Sequence, residues 1–260
     1  MEEFNFNQKQ DREHAIQKDL ENAQRVFKDF IPDVELNKLE EYKDTKGIPL
    51  ERLYNKGTNH PDSFTGHFFD FPEKIRQNGE LLNYLQKLSK NKIFLDLGCG
   101  NSWKIGASIA DVVGASAYLG VDKFNVGNSI TNIDGKDYFY KTKEISRAND
   151  TGENKYGIPQ VVWKEDMLEA LKEINDNSAV LMFNGIESEL FSFMSPQAQI
   201  EFFTEIATEI KRVIGESGYI ISTNPNMINR RGVFTLIEDS VAKDSDLFST
   251  LKIYRIVNSL

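Results

Sequence analysis

The sequence is poor in residues that form cross-links or bind metals. It has one cysteine, Cys99, and three histidines in 260 residues. A single cysteine excludes an internal disulfide and is typical of proteins in a reducing compartment. The histidines show no paired spacing of the kind that holds zinc, so we expect no metal ion.

Long apolar runs are also missing. A run such as Ala179–Phe183 covers five residues, whereas a membrane-spanning helix needs roughly 20. The first residues, Met-Glu-Glu-Phe-Asn-Phe, have neither the basic start nor the apolar stretch of a signal peptide. These absences predict a cytoplasmic protein without a membrane partner.

Basic residues are fewer than acidic residues. The chain has 31 Lys and Arg against 40 Asp and Glu, a net charge of −9. Proteins that bind nucleic acids draw much of their affinity from Lys and Arg contacts with phosphates, so this balance disfavours nucleic acid as a partner. The 40% of hydrophobic and 27% of charged residues are instead typical of a globular protein.

Helical patterns occupy the first third of the chain. Apolar residues such as Leu20, Phe27 and Ile31 recur at helical spacing, which predicts an amphipathic helix. We interpret residues 1–90 as a helical extension or cap. Two roles stay open for it: cover for a hydrophobic edge of the core, or a lid or dimer arm. The oligomeric state stays open with them.

From residue 92 onward, short apolar runs alternate with helical patterns, and such runs are typical of parallel strands buried on both faces. The predicted strands are 93–97, 118–122, 161–163, 179–184, 219–223 and 251–257, and the predicted helices are 102–113, 167–174, 196–213 and 232–242. This alternation predicts a Rossmann-like, doubly wound α/β domain over residues 91–260, with a mainly parallel sheet and helices on both faces. Polar residues 124–160 interrupt it as an insertion, with a hairpin around Asp134–Gly135.

The most informative stretch joins the first of these strands to a helix through Gly98-Cys99-Gly100. Glycines let the backbone turn sharply and approach a ligand, and the helix that follows presents free N–H groups. Asp122 ends the next predicted strand, 22 residues beyond Gly100. A carboxylate there can accept hydrogen bonds from both hydroxyls of a ribose. The pattern predicts a nucleotide-type ligand.

Two ligand classes compete for this pattern. A dinucleotide fingerprint, Gly-x-Gly-x-x-Gly, needs a small residue at position 103 so that helix and strand pack closely. That position is Trp103, which disfavours NAD and FAD. The other pattern, Asp-x-Gly-x-Gly, is present as Asp96-Leu-Gly-Cys-Gly100.

The stretch Leu95–Gly100 resembles the glycine motif of class I S-adenosylmethionine-dependent methyltransferases, and the likeness extends over about residues 90–257. Asp122 matches the family's ribose acid, and Glu165-Asp166-Met167 resembles its adenine-contacting segment. The departures are Ser102 in place of a third glycine, the long insertion, and one predicted strand after residue 242 where the family usually has two. The cofactor-binding residues that the resemblance implies are Asp96, Gly98, Cys99, Gly100, Asn101, Asp122, Lys123, Asp166, Met167 and Asn184.

The resemblance implies methyl transfer from S-adenosylmethionine, a displacement in which the cofactor supplies the electrophile and the protein supplies positioning and sometimes a base. The acceptor, a small molecule or a protein side chain, is not identified by the sequence. Tyr54, His67 and Glu187 are candidate acceptor-side residues, with His67 or Glu187 as a base. Two alternatives remain: a non-catalytic methyltransferase-like binding subunit, and an NAD-linked oxidoreductase.

Overall fold

A computed structural model describes most of the predicted α/β domain and parts of the segment before it. The described residues are 21, 25–32, 40–41, 71–99, 103–122, 131–133, 136–139, 143–145, 158–163, 165–183, 194–216, 218–222, 226, 228–229, 232–239 and 252–257. The strands are β1 (Glu40–Glu41), β2 (Ile93–Leu97), β3 (Ala117–Val121), β4 (Thr131–Ile133), β5 (Lys136–Phe139), β6 (Lys143–Ile145), β7 (Gln160–Trp163), β8 (Ala179–Phe183), β9 (Tyr219–Ser222), β10 (Thr235–Glu238) and β11 (Lys252–Val257). The helices of the described part are α1 (Phe71–Gln77), α2 (Gly79–Ser89), α3 (Trp103–Val112), α4 (Met167–Glu173) and α5 (Pro196–Ile214).

Eight strands form the main sheet in the order β10-β11-β9-β8-β2-β3-β7-β6. The five adjacent strands β9-β8-β2-β3-β7 run parallel to one another. Strand β11 pairs antiparallel with β9 and β10, and β6 pairs antiparallel with β7. Helices join three pairs of successive parallel strands: α3 joins β2 to β3, α4 joins β7 to β8, and α5 joins β8 to β9. The architecture is therefore the Rossmann-like, mainly parallel α/β sheet that the sequence predicts.

The central strands are buried on both faces, which explains their continuous apolar runs. All five residues of β2, β3 and β8 are buried, and their side chains alternate between two hydrophobic clusters. Ile93, Leu95 and Leu97 point to one face, where α4 and α5 pack. Phe94 points to the other, where α1, α2 and α3 pack. None of the described helices is long and apolar enough to span a membrane.

Part of the N-terminal segment packs into this core. Phe27 and Ile31 are fully or almost fully buried in the cluster formed by α4 and α5. The Asn175 backbone N–H donates to the Phe30 carbonyl over 2.8 Å, and its side-chain amide donates to the Asp29 carbonyl over 2.9 Å. Residues 25–31 therefore pack against the core through Phe27 and Ile31.

The insertion contributes strands to two sheets. The predicted hairpin is present, because β4 pairs antiparallel with β5 and places Ile133 opposite Lys136. Strand β1 adds to β5, which makes a small three-stranded sheet. Strand β6 instead pairs with β7 and forms one border of the main sheet.

The helix predicted over 232–242 is wrong, since strand β10 occupies 235–238. Burial here follows a period of two: Phe234 and Leu236 are buried, whereas Thr235 and Ile237 are exposed. Such alternation is typical of a border strand with one face on the core. With β10, two strands follow β9 in the described part of the chain, although only β11 lies after residue 242.

Arg212 ties the end of α4 to α5. Its guanidinium donates to the carbonyls of Leu171 and Ile174 over 2.7 and 2.6 Å. It also donates to the carboxylates of Asp176 and Glu209, each over 2.7 Å. The last carbonyls of a helix lack the usual partner within the helix. Arg212 gives charge-assisted bonds to two carbonyls at the end of α4, that of Leu171, which also accepts from the Ile174 N–H over 3.2 Å, and that of Ile174.

We predict that Arg212→Met lowers the free energy of unfolding by about 2–3 kcal/mol, because it keeps the apolar stem and removes these bonds. Urea denaturation measures the change. Arg76→Met is the matched control, since Arg76 makes only an exposed pair with Glu73 at 3.5 Å and should lose about 0.5 kcal/mol or less. Equal losses in the two variants would contradict the role given to Arg212.

Candidate functional site

The candidate site lies where the order of strands reverses. Strand β2 has β3 on one side and β8 on the other, so the chain leaves β2 to build first one half of the sheet and then the other. In open α/β sheets the ligand crevice forms at the carboxyl ends of the strands next to such a reversal. The residues that follow β2, β3 and β7 are therefore the ones to inspect.

A glycine turn leaves β2 at this edge. Gly98 has a φ of +72°, a left-handed conformation that disfavours any residue with a Cβ. The backbone N–H groups of Gly98 and Cys99 both donate to the Val121 carbonyl, over 2.7 and 3.2 Å. Because Val121 immediately precedes Asp122, these bonds hold the glycine turn beside the predicted ribose acid.

The same main-chain pattern continues to β7. The Asp122 N–H donates to the Trp163 carbonyl over 3.0 Å, and the Glu165 N–H donates to the same oxygen over 3.1 Å. Asp166 follows and caps α4, since its Oδ1 accepts from the Leu168 N–H at 2.9 Å. The structure thus brings Asp96, Asp122 and Asp166 to the ends of three neighbouring strands.

Asp96 differs from the other two acids in its burial. It is 5% exposed, whereas Asp122 and Asp166 are half-buried. The Tyr118 hydroxyl donates to Asp96 Oδ2 over 2.9 Å. Burial raises the pKa of Asp96 to about 7 from its usual 3.8; the Tyr118 hydrogen bond opposes this shift, and the charge of Asp122 adds to it.

Two glycines leave space for the side chains of Asp96 and Tyr118. A Cβ on Gly106 of α3 would overlap Asp96 Oδ2 and lie 2.8 Å from Tyr118 Cε2. A Cβ on Gly120 would lie 2.8 Å from the Tyr118 hydroxyl and 2.9 Å from Cys99 Sγ. Real Cβ atoms do not approach other atoms so closely, so helix, strand and turn pack here only because both positions are glycine.

The sequence interpretation missed Tyr118, Gly106 and Gly120. Each carried a signal: a glycine inside a predicted helix indicates close packing, and a tyrosine in a strand buried on both faces needs a partner for its hydroxyl. Gly106, rather than residue 103, provides the close approach of helix to strand that a dinucleotide fingerprint would place three residues earlier.

Cys99 is a packing residue in this arrangement. It is 5% exposed, and burial, followed by the charges of Asp96 and Asp122, raises the pKa of its thiol. A thiol held protonated is a poor nucleophile. Cys99 therefore shapes the glycine turn and is not a candidate for covalent chemistry.

The remaining predicted site residues divide into one that is described and seven that are not. Met167 begins α4, partly buried against the core. The predicted residues that lie outside the described part of the chain are Tyr54, His67, Gly100, Asn101, Lys123, Asn184 and Glu187. Among the residues that the structure describes, no group of three or more His, Cys, Asp or Glu is arranged to hold a metal ion.

Comparison with solved structures finds distant likenesses, two of them to methyltransferases. No protein-family model matches the chain, and no curated protein is similar to it in sequence. An S-adenosyl-L-methionine methyl transferase from Silicibacter pomeroyi DSS-3 is 14% identical with a TM-score of 0.36, over 71% of this chain and 94% of that one. A putative SAM-dependent methyltransferase from Streptococcus mutans is 15% identical with a TM-score of 0.38, over 70% and 48%. Such distant likenesses bear on neither activity nor acceptor, and the fold rests on this chain's own sheet.

We predict that Asp96→Asn stabilises the ligand-free protein, and more so as the pH rises. With a pKa of about 7 in the fold against 3.8 usually, Asp96 keeps a proton that the unfolded chain loses above pH 4. The wild-type protein therefore loses stability as the pH rises towards 7, by about 1.4 kcal/mol per unit, whereas the asparagine stays neutral.

Chemical denaturation at pH 5 and pH 8 measures this effect. The advantage of Asp96→Asn over the wild type should grow by about 2–3 kcal/mol between the two pH values. Glu80→Gln removes an exposed carboxylate from α2 and should show no such growth. A constant difference for Asp96→Asn would mean that Asp96 is ionised across this range.

Proposed function

We propose that this chain is an S-adenosylmethionine-dependent methyltransferase whose acceptor is a small molecule or a protein side chain. One observation carries the proposal: Asp96, the Gly98 turn, Asp122 and Asp166 stand in a row at the carboxyl ends of β2, β3 and β7. This is the order in which the sequence motif, the ribose acid and the adenine segment of class I methyltransferases occur.

The charge of the row fits the proposed cofactor. S-adenosylmethionine carries a sulfonium and an ammonium group, both cationic, beside one carboxylate. Two of the acids influence each other, since the charge of Asp122 raises the pKa of Asp96. A cation bound between them would relieve that repulsion. The diphosphate of a dinucleotide would add negative charge instead, which argues against the NAD-linked alternative.

Under this proposal, each of the described site residues contacts a different part of the cofactor. Asp122 accepts hydrogen bonds from the ribose hydroxyls, and Asp166 contacts the adenine amino group while it caps α4. Gly98 lets the backbone approach the ligand without a side chain in the way. The bound cofactor supplies an electrophilic methyl group, and the chain's own residues hold the reactants in place. Tyr54, His67 and Glu187 are proposed for the acceptor side.

Calorimetric titration with S-adenosylmethionine, S-adenosylhomocysteine and NAD⁺ tests the ligand class. We expect both adenosyl ligands to bind and NAD⁺ not to bind. Tight binding of NAD⁺ alone would overturn the proposal. Transfer of a tritiated methyl group from S-adenosylmethionine to cell-extract fractions then separates an enzyme from a binding subunit, because only an enzyme labels an acceptor.

We predict that Asp122→Ala weakens S-adenosylhomocysteine binding by tenfold or more. Hydrogen bonds to a charged group contribute about 1.5–3 kcal/mol each, and the variant loses those to both ribose hydroxyls. Glu205→Ala, which removes an exposed acid from α5, is the matched control and should bind as the wild type does. A folded Asp122→Ala protein with unchanged affinity would remove Asp122 from the site.

A further inference from the structure

We propose that Tyr118 is a positioning residue for cofactor binding: under the proposed function the Asp96 carboxylate faces the cationic amino-acid end of the ligand, and the Tyr118 hydroxyl holds that carboxylate at the base of the glycine turn. The inference rests on the proposed function and deepens it. Tyr118 itself is buried behind Asp96 and acts on the ligand only through that carboxylate.

The geometry fixes this pair more tightly than a hydrogen bond alone would. The Tyr118 hydroxyl lies 2.9 Å from Asp96 Oδ2, and the ring stacks on Phe94 with centroids 6.4 Å apart. Gly106 and Gly120 close around the pair so tightly that neither has room for a Cβ. The carboxylate is therefore held against the hydroxyl by its surroundings.

The surroundings of Asp96 contain no balancing positive charge in the described part of the chain. The titratable groups that face it are Tyr118 from β3, Cys99 from the turn and Asp122 at the end of β3. Helix α3 faces it with Gly106, and the neighbouring residue on β8 is Met182. A buried carboxylate is costly without a cation; in our proposal the ammonium group of the ligand is that cation.

Tyr118 has a measurable effect because it favours the ionised form of Asp96. Its hydrogen bond lowers the pKa of Asp96 against the effect of burial. Without the hydroxyl, Asp96 holds its proton to a higher pH and binds a cation only after that proton is lost. Removing one hydrogen bond to a charged group corresponds to about one pKa unit, a factor of roughly ten.

The test is the S-adenosylhomocysteine dissociation constant of Tyr118→Phe divided by that of the wild type, measured from pH 6 to pH 9. The ratio cancels the titration of the ligand itself. We expect about tenfold weaker binding at pH 6 and a ratio within about twofold of one at pH 9, where Asp96 is ionised in both proteins. A structural defect would weaken binding equally at every pH, and that result would overturn the inference.

Tyr219→Phe is the matched control. Tyr219 is also fully buried in the cluster beneath α2, and its hydroxyl lies 2.9 Å from that of Ser89, away from the glycine turn. The dissociation constant of Tyr219→Phe divided by that of the wild type should stay near one from pH 6 to pH 9. In an Asp96→Asn background, Tyr118→Phe should have no further pH-dependent effect; a persisting effect would show that Tyr118 does not act through Asp96.

5′-Methylthioadenosine separates the two ends of the ligand, because it keeps the nucleoside and lacks the amino acid. For this ligand, the dissociation constant of Tyr118→Phe divided by that of the wild type should stay near one at every pH. The same pH-dependent ratio for both ligands would place the pair at the nucleoside and overturn the inference, while leaving the proposed function intact. If the wild type binds neither compound at any pH, the proposed function fails, and this inference fails with it.

Discussion

The candidate site depends on one shared acceptor, the Val121 carbonyl, which receives the N–H groups of both Gly98 and Cys99. A single oxygen with two donors fixes the direction of the chain as it leaves β2. It also fixes the distance from that turn to Asp122, the residue that follows β3. The Trp163 carbonyl repeats the arrangement one strand further, with Asp122 and Glu165 as donors. Main-chain hydrogen bonds thus hold together the carboxyl ends of β2, β3 and β7, and these bonds position the backbone that carries the acidic side chains.

The energetic cost of the site is concentrated in Asp96. Burial of an ionisable carboxyl opposes its charged form, and the hydrophobic cluster that stabilises the sheet is what buries it. The two demands conflict on the same strand: β2 must be buried on both faces to hold the fold, and it must carry an acid to hold a ligand. Functional sites often keep such conflicts. A group that is already stabilised in the ligand-free protein gains little free energy when the ligand binds.

Sequence reasoning predicted the five parallel strands, β11, most helices and the positions of the three acids, because these follow from periodicity and from position at strand ends. It failed at β10, where a short border strand with a mixed face was read as a helix. It also missed the Tyr118–Asp96 pair, since a contact between neighbouring strands depends on register, which one sequence does not reveal. Gly106 shows the same limit: its position in a helix indicates close packing, but only the fold shows that Asp96 is the neighbour.

The absence of a Cβ at Gly106 and Gly120 restricts the evolutionary routes open to this site. An alanine at either position collides with Tyr118, at 106 also with Asp96 Oδ2 and at 120 also with Cys99 Sγ, so a smaller residue at 118 is a necessary condition for it and not by itself a sufficient one. A smaller residue at 118, in turn, leaves a void that invites a larger one at 106 or 120. These three positions should therefore change in concert among relatives of this chain, and their covariation would trace lineages in which Asp96 has lost its hydroxyl partner.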